Sequence, residues 1–228
     1  MGSRYFSPKL FSFLKDLEAN NNREWFKAHQ AEYEQYIREP ALDFINDFSK
    51  PLKGISEFFV ADSRTVGGSL FRIQRDTRFG KDKTPYKTNT GLHFRHVMGK
   101  DAHAPGYYLH IQPGECFMGV GLWNPETKLA YAIRKKIDDD QATWKRATRS
   151  KKFTELYALG GDSLIRPPKG YDADHPLIDD LKRKSFMASG RLKQSDITSA
   201  DFMQKFTDDC KRATPFMKFL CEAVGVQF

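Results

Sequence analysis

Apolar and polar positions along the chain fall into three stretches of different period. Over residues 7–60 the apolar residues recur three and four positions apart, as on the buried stripe of a helix: Leu10, Leu14 and Leu17, then Trp25, Phe26, Tyr33, Tyr36 and Ile37, then Leu42, Ile45 and Phe48. Helix punctuation accompanies this period. Ser7-Pro8 sets a capping serine before a proline at the first helical position, and Lys53-Gly54 closes the stretch. Asn20-Asn21-Asn22 ends one helix and caps the next, with Glu24 three positions after Asn21 in the arrangement of a capping box. Pro40 is expected to kink or restart the helix that follows.

Between about 66 and 123 the period drops to two. Segments 69–73, 91–97, 106–112 and 115–123 alternate as strands with one buried face. Pro113-Gly114 predicts a turn that joins the last two as a hairpin. A loop of even length sets Gln112 opposite Glu115, His110 opposite Phe117, Tyr108 opposite Gly119 and Gly106 opposite Gly121. One face then carries Tyr107, Leu109, Ile111, Cys116, Met118, Val120 and Leu122 and belongs to the core. The other carries Tyr108, His110, Gln112 and Trp123 around Gly119 and Gly121. Alternate glycines in a strand mark close approach of a ligand or another backbone, so a concave site is expected on this face.

Residues 124–225 return to helical spacing. Leu129, Ile133 and Ile137 follow the cap Asn124-Pro125, Trp144 and the group Phe153, Leu156 and Tyr157 come next, and a last helix with Phe202, Phe206 and Cys210 is expected to kink at Pro215. The expectation is an α+β fold, a single domain over residues 1–228. It comprises a mainly antiparallel sheet of at least four strands packed by N-terminal and C-terminal helices.

Composition is consistent with that picture and narrows the chemistry. In 228 residues, 14% aromatic content with 19 Phe supplies a core, while 29% charged residues supply a solvated surface. No apolar run approaches the roughly 20 residues that cross a bilayer, and the first residues lack the apolar stretch of a secretory leader. Cys116, Cys210 and Cys221 are odd in number and outside any CxxC pair, as in a reduced, cytoplasmic protein without disulfides. His93 and His96, the closest histidines, point to opposite faces of a strand, so no metal site is expected. No phosphate-binding glycine loop, GxSxG elbow or HExxH helix occurs. No cofactor follows from the residues.

Charge changes the picture more. Within a chain of net charge +8, residues 72–87 hold six basic residues (Arg72, Arg75, Arg78, Lys81, Lys83, Lys87) against two acids, Asp76 and Asp82. Guanidinium groups favour bidentate contacts to phosphate or carboxylate, and lysines add point charge. The expected function is recognition of an anionic small molecule by Arg72, Arg75, Arg78, Lys83 and Lys87, with Tyr86, Tyr108 and Trp123 lining the same pocket. His110 is the candidate for proton transfer if the domain is an enzyme, a question the residues leave open. Phe79 and Pro85-Tyr86 are expected to pin this basic loop to the core. Two further alternatives remain. The basic runs at 134–136, 145–146, 149–152 and 182–184 fit a nucleic-acid-binding module with Tyr86 or Trp123 stacking on bases. A protein-interaction domain docking an acidic partner fits as well.

Five stretches together carry a family resemblance. These are Asn22-Arg23-Glu24-Trp25-Phe26, the run from Phe71 to Phe79 followed by Lys81-Asp82-Lys83-Thr84-Pro85-Tyr86-Lys87, Pro105-Gly106-Tyr107-Tyr108-Leu109-His110, Gly119-Val120-Gly121-Leu122-Trp123, and Pro168-Lys169-Gly170-Tyr171 with His175-Pro176. In them the chain resembles the uncharacterised family called domain of unknown function 2461, found in bacteria and fungi. Gln74 stands where tyrosine is common in that family. The resemblance spans nearly the whole chain and implies one domain of conserved architecture. It brings no activity, substrate or cofactor with it.

Overall fold

Pro113-Gly114 turns the chain back on itself, with Gly114 in the left-handed region at φ 82°. The hairpin it closes is the centre of the sheet. In a computed structural model of the protein, which describes residues 3–78, 80–99 and 105–228, the strands are β1 (Thr90–Arg95), β2 (Gly106–Ile111), β3 (Cys116–Leu122), β4 (Ala158–Gly160) and β5 (Phe186–Leu192). Their order is β1-β2-β3-β5-β4, and every neighbouring pair is antiparallel. The hairpin register is the expected one: His110 faces Phe117, Tyr108 faces Gly119 and Gly106 faces Gly121.

One face of this sheet is the core. Leu92, Phe94, Tyr107, Leu109, Met118, Val120, Leu122, Phe186 and Ala188 are all buried on it. Helices from both ends of the chain cover them, as expected for this α+β fold. Phe48 of the helix Glu39–Lys53 and Phe206 of the helix Phe202–Arg212 meet Phe94 with ring centroids 4.7 and 6.1 Å away. Trp144 sits 5.2 Å from Phe219 of the helix Thr214–Ala223. Each such buried ring contributes on the order of 2 kcal/mol.

Several local expectations are corrected. Asn22, not Asn21, caps the second helix, its Oδ1 accepting from the Trp25 N–H at 2.9 Å. Asn21 instead imitates a strand: its side chain donates to the Tyr86 carbonyl at 3.0 Å and accepts from the Tyr86 N–H at 3.1 Å. Pro40 restarts the helix, one of the two outcomes expected of it. It sits in the first turn of Glu39–Lys53, immediately after a π-helical turn at Glu34–Arg38, because proline has no N–H for the carbonyl four residues back and the turn before it widens. Pro215 begins a separate helix instead of kinking one.

The largest correction concerns residues 124–225, read as helical, which contain β4 and β5. Phe186, Ala188 and Leu192 do alternate inward, but the middle of the strand is filled with Ala, Ser and Gly, which carry little β propensity. Segment 69–73 is no regular strand either. It leans on β1 through the Leu70–Leu92 bridge and the Phe71 N–H to Gly91 carbonyl bond of 2.9 Å. From there residues 72–87 run out and back as an arm, closed by the Gln74–Tyr86 bridge and by Arg75 and Lys87 N–H bonds to the Pro85 and Ile73 carbonyls, both 2.8 Å.

Two glycines test this geometry. Gly121 has φ +115°, and a methyl group there would lie 2.2 Å from the Phe186 carbonyl. A methyl at Gly119 meets nothing closer than the Tyr108 Cβ at 3.6 Å. Gly121→Ala is expected to cost about 3 kcal/mol in urea unfolding through backbone strain and overpacking, whereas Gly119→Ala stays near wild type. Equal midpoints for the two variants would refute the register.

Candidate functional site

The outer face of the sheet holds the candidate site. Strand parity places Tyr108 and His110 of β2 beside Gly119 and Phe117 of β3, and Met187 of β5 beside Gly121. Side chains around these glycines leave a cleft of about 450 Å³, walled by Phe71, Tyr108, Phe117, Trp123 and Met187 and floored by Gly106, Gly119 and Gly121. Trp123 stands at its rim, 58% exposed. His93 closes one end so tightly that a methyl at Gly106 would lie 2.3 Å from its Nε2. Tyr108 and Trp123 therefore share one cleft over a glycine floor.

His110 lies one row away and acts on the cleft through Tyr108. The Tyr108 hydroxyl is 2.9 Å from His110 Nδ1, and His110 Nε2 is 3.2 Å from Gln112 Oε1. An amide oxygen only accepts, so Nε2 carries the imidazole proton and Tyr108 donates to Nδ1. The imidazole lies flat on Phe117, 4.7 Å between centroids and 13° between planes. Burial lowers the His110 pKa and pushes the Tyr108 pKa up to about 12. Both groups are held neutral, in a relay of fixed direction.

The basic arm does not converge on this cleft. Arg75 pairs with Asp82, and Arg78 with Asp76 at 2.7 Å. Asp76 is held well below the usual carboxylate range by Arg78. Asp82 is lowered first by the Thr84 N–H and hydroxyl, then by Arg75. Lys83 Nζ donates to the Thr77 carbonyl at 2.8 Å. Arg75, Lys83 and Tyr86 line a separate polar depression with Asn21 and Gln74, and Arg72 lies on another side beside Arg38 and Thr65. The single pocket expected for these cations and the sheet face is thus divided. The arm leaves the sheet at its β1 edge, and two of its arginines fold back on their own near neighbours in sequence.

Tyr86 is buried and stacked on Phe26 at 4.1 Å, so it pins the arm to the core with the help of Asn21. Phe79, given the same task, lies outside the described residues. Lys87 touches a wall of the cleft. Its Nζ donates to the Arg72 carbonyl at 3.0 Å and sits 5.5 Å from the ring centre of Phe71, a wall of the cleft. Burial, then Arg72 and Arg75, lowers the Lys87 pKa.

His175 has both nitrogens engaged: Nδ1 accepts the Leu177 N–H at 3.1 Å and Nε2 donates to Asp138 at 3.0 Å. It ties a loop to the helix Thr127–Asp139. Among the described residues no group of three His, Cys, Asp or Glu side chains gathers as a metal site, and no helix is long and apolar enough to cross a membrane. Phe71, His93, Phe117 and Met187 were missing from the expected site. Phe117 and His93 share the strand parity of Tyr108 and were within reach of the alternation argument, whereas Met187 depends on β5.

The neutral relay has a pH signature. Because the folded His110 pKa lies below its ordinary 6.5, the folded protein binds fewer protons than the unfolded chain just below pH 6.5. The contribution of His110 to stability therefore falls as pH drops through that window, and levels off below the folded value. In an NMR titration the His110 ring signal should move at a pH below 6.5. A midpoint above 6.5 would contradict the neutral state that burial gives His110.

Among curated proteins none matches the chain. A model of conserved hypothetical proteins, domain of unknown function 2461, matches residues 9–219. The segments that build the cleft and the arm all lie within those limits, and so does the whole sheet. The chain belongs to the conserved hypothetical family designated domain of unknown function 2461.

Proposed function

We propose that the protein is an anion-recognising domain whose small ligand carries a phosphate or carboxylate group. The observation that carries this reading is the crowding of cations at Lys87. Its ammonium is half-buried and disfavoured by Arg72 and Arg75, and its hydrogen-bond partner is a backbone carbonyl instead of a carboxylate. An anion at that point would relieve both like-charge repulsion and lost hydration. The Arg75–Asp82 and Arg78–Asp76 pairs are solvent-exposed on at least one side, and exposed pairs are weak enough for a ligand to compete with.

A small ligand is favoured over a nucleic-acid backbone because several cations of the later basic runs are already engaged. Arg134 donates to the Leu181 and Arg183 carbonyls. Arg149 and Arg183 converge on the buried Asp180, and Lys136 pairs with Glu222. These cations tie helices to one another. Should the domain be an enzyme, the Tyr108–His110 pair is the proton-handling group nearest the ligand.

Calorimetry with inorganic phosphate and pyrophosphate in buffers of different ionisation enthalpy tests the reading. Binding should raise the depressed Lys87 pKa, so protons are taken up at alkaline pH and affinity declines as pH rises further. The double variant Arg72→Gln, Lys87→Gln should lose the response and keep the wild-type melting temperature. An anion response that survives in the double variant would overturn the assignment.

A further inference from the structure

We propose that the glycine-floored cleft receives a flat aromatic ring, so that the ligand is a planar ring system bearing an anionic group. Only the charged half of this inference rests on the anion reading above; the ring half stands on the cleft itself.

Shape comes first. A volume of about 450 Å³ lies in the range of small-molecule sites. Gly119 carries no side chain, and a Cβ there would make only ordinary contacts, the nearest with the Tyr108 Cβ at 3.6 Å. In the middle of a sheet whose other face is tightly packed, that absence leaves a flat strip of backbone. Four of the five walls are aromatic and come from separate parts of the chain: Phe71 from the segment before the arm, Tyr108 from β2, Phe117 from β3 and Trp123 just beyond it, with Met187 of β5 as the fifth. Ring edges and faces around a flat floor match a planar π system better than a branched or globular ligand.

Polar groups then orient the ring. The Tyr108 hydroxyl spends its proton on His110, which leaves its oxygen to accept from a ring N–H or O–H. Charge sets the other end. Phe71 is a wall of the cleft and also carries Lys87 Nζ 5.5 Å from its ring centre. One side chain thus joins the apolar cleft to the crowded cations. A substituent leaving the ring past Phe71 arrives at Lys87 and Arg72, the two groups that an anion would relieve.

The test is calorimetric titration of the intact protein with 1-naphthyl phosphate, 1-naphthol, octyl phosphate and inorganic phosphate. The proposal expects 1-naphthyl phosphate to bind at least about tenfold more tightly than the other three, as two contributing subsites require. Gly119→Leu should abolish binding of 1-naphthol and weaken 1-naphthyl phosphate to the level of inorganic phosphate. Gly119→Ala, with only a methyl in the cleft, should give an intermediate loss and guards against misfolding of the larger variant. Lys87→Gln should erase the advantage of the phosphate while 1-naphthol binding persists. Three results would overturn the proposal: no saturable binding of either naphthyl compound, naphthyl binding indifferent to both Gly119 variants, or octyl phosphate binding as tightly as 1-naphthyl phosphate. Loss of the inorganic phosphate response with 1-naphthol binding retained would sink the anion reading and leave the ring site standing. Phosphate binding without 1-naphthol binding would do the reverse.

Discussion

Side-chain parity across the β2–β3 hairpin governs both halves of this molecule. Because successive residues of a strand face opposite ways, pairing Tyr108 with Gly119 and Gly106 with Gly121 sends Tyr107, Leu109, Met118 and Val120 together into the helical core. The same pairing leaves glycines and aromatic rings together on the other side. A slip of one residue would exchange the faces of one strand, burying Tyr108 and His110 among phenylalanines and turning Tyr107 and Leu109 outward. The glycines enforce the register locally, since Gly106 admits His93 and Gly121 tolerates a backbone angle that other residues avoid. The cleft is therefore a consequence of how the core is specified.

The hairpin and its two faces were legible in the sequence because Pro113-Gly114 and strict alternation are local signals. The glycine floor with Tyr108 and Trp123 above it followed from the same alternation. β5 was not legible. Its partner β3 lies some seventy residues earlier in the chain, and small residues such as Ala188, Ser189 and Gly190 give it no strand signature of its own. With β5 went Met187, the far wall of the cleft. The arm illustrates a different limit. Spacing identified a cluster of cations, but their directions depend on Asp76 and Asp82 drawing Arg78 and Arg75 away and on Asn21 clasping Tyr86. A long-range side-chain clasp of that kind has no sequence pattern to announce it.

What the arm and the sheet share is Phe71. Its backbone bonds to Gly91 on β1, its ring walls the cleft, and Lys87 rests above that ring. In the proposed function, apolar capture and charge recognition are separate surfaces joined at this residue, so a basic loop and an aromatic face would serve one ligand without forming one pocket. The Tyr108–His110–Gln112 relay approaches from the other side and remains neutral through burial. It keeps charge out of the apolar cleft.

We propose that the sheet's outer face and the arm hold two ends of one ligand. A crystal structure of the protein soaked with 1-naphthyl phosphate tests it most directly. Ring density is expected over the Gly119 backbone between Tyr108 and Trp123, with the phosphate beyond Phe71 in contact with Lys87 and Arg72. Ring density elsewhere on the molecule, or a ring in the cleft with its phosphate pointing away from the arm, would contradict it.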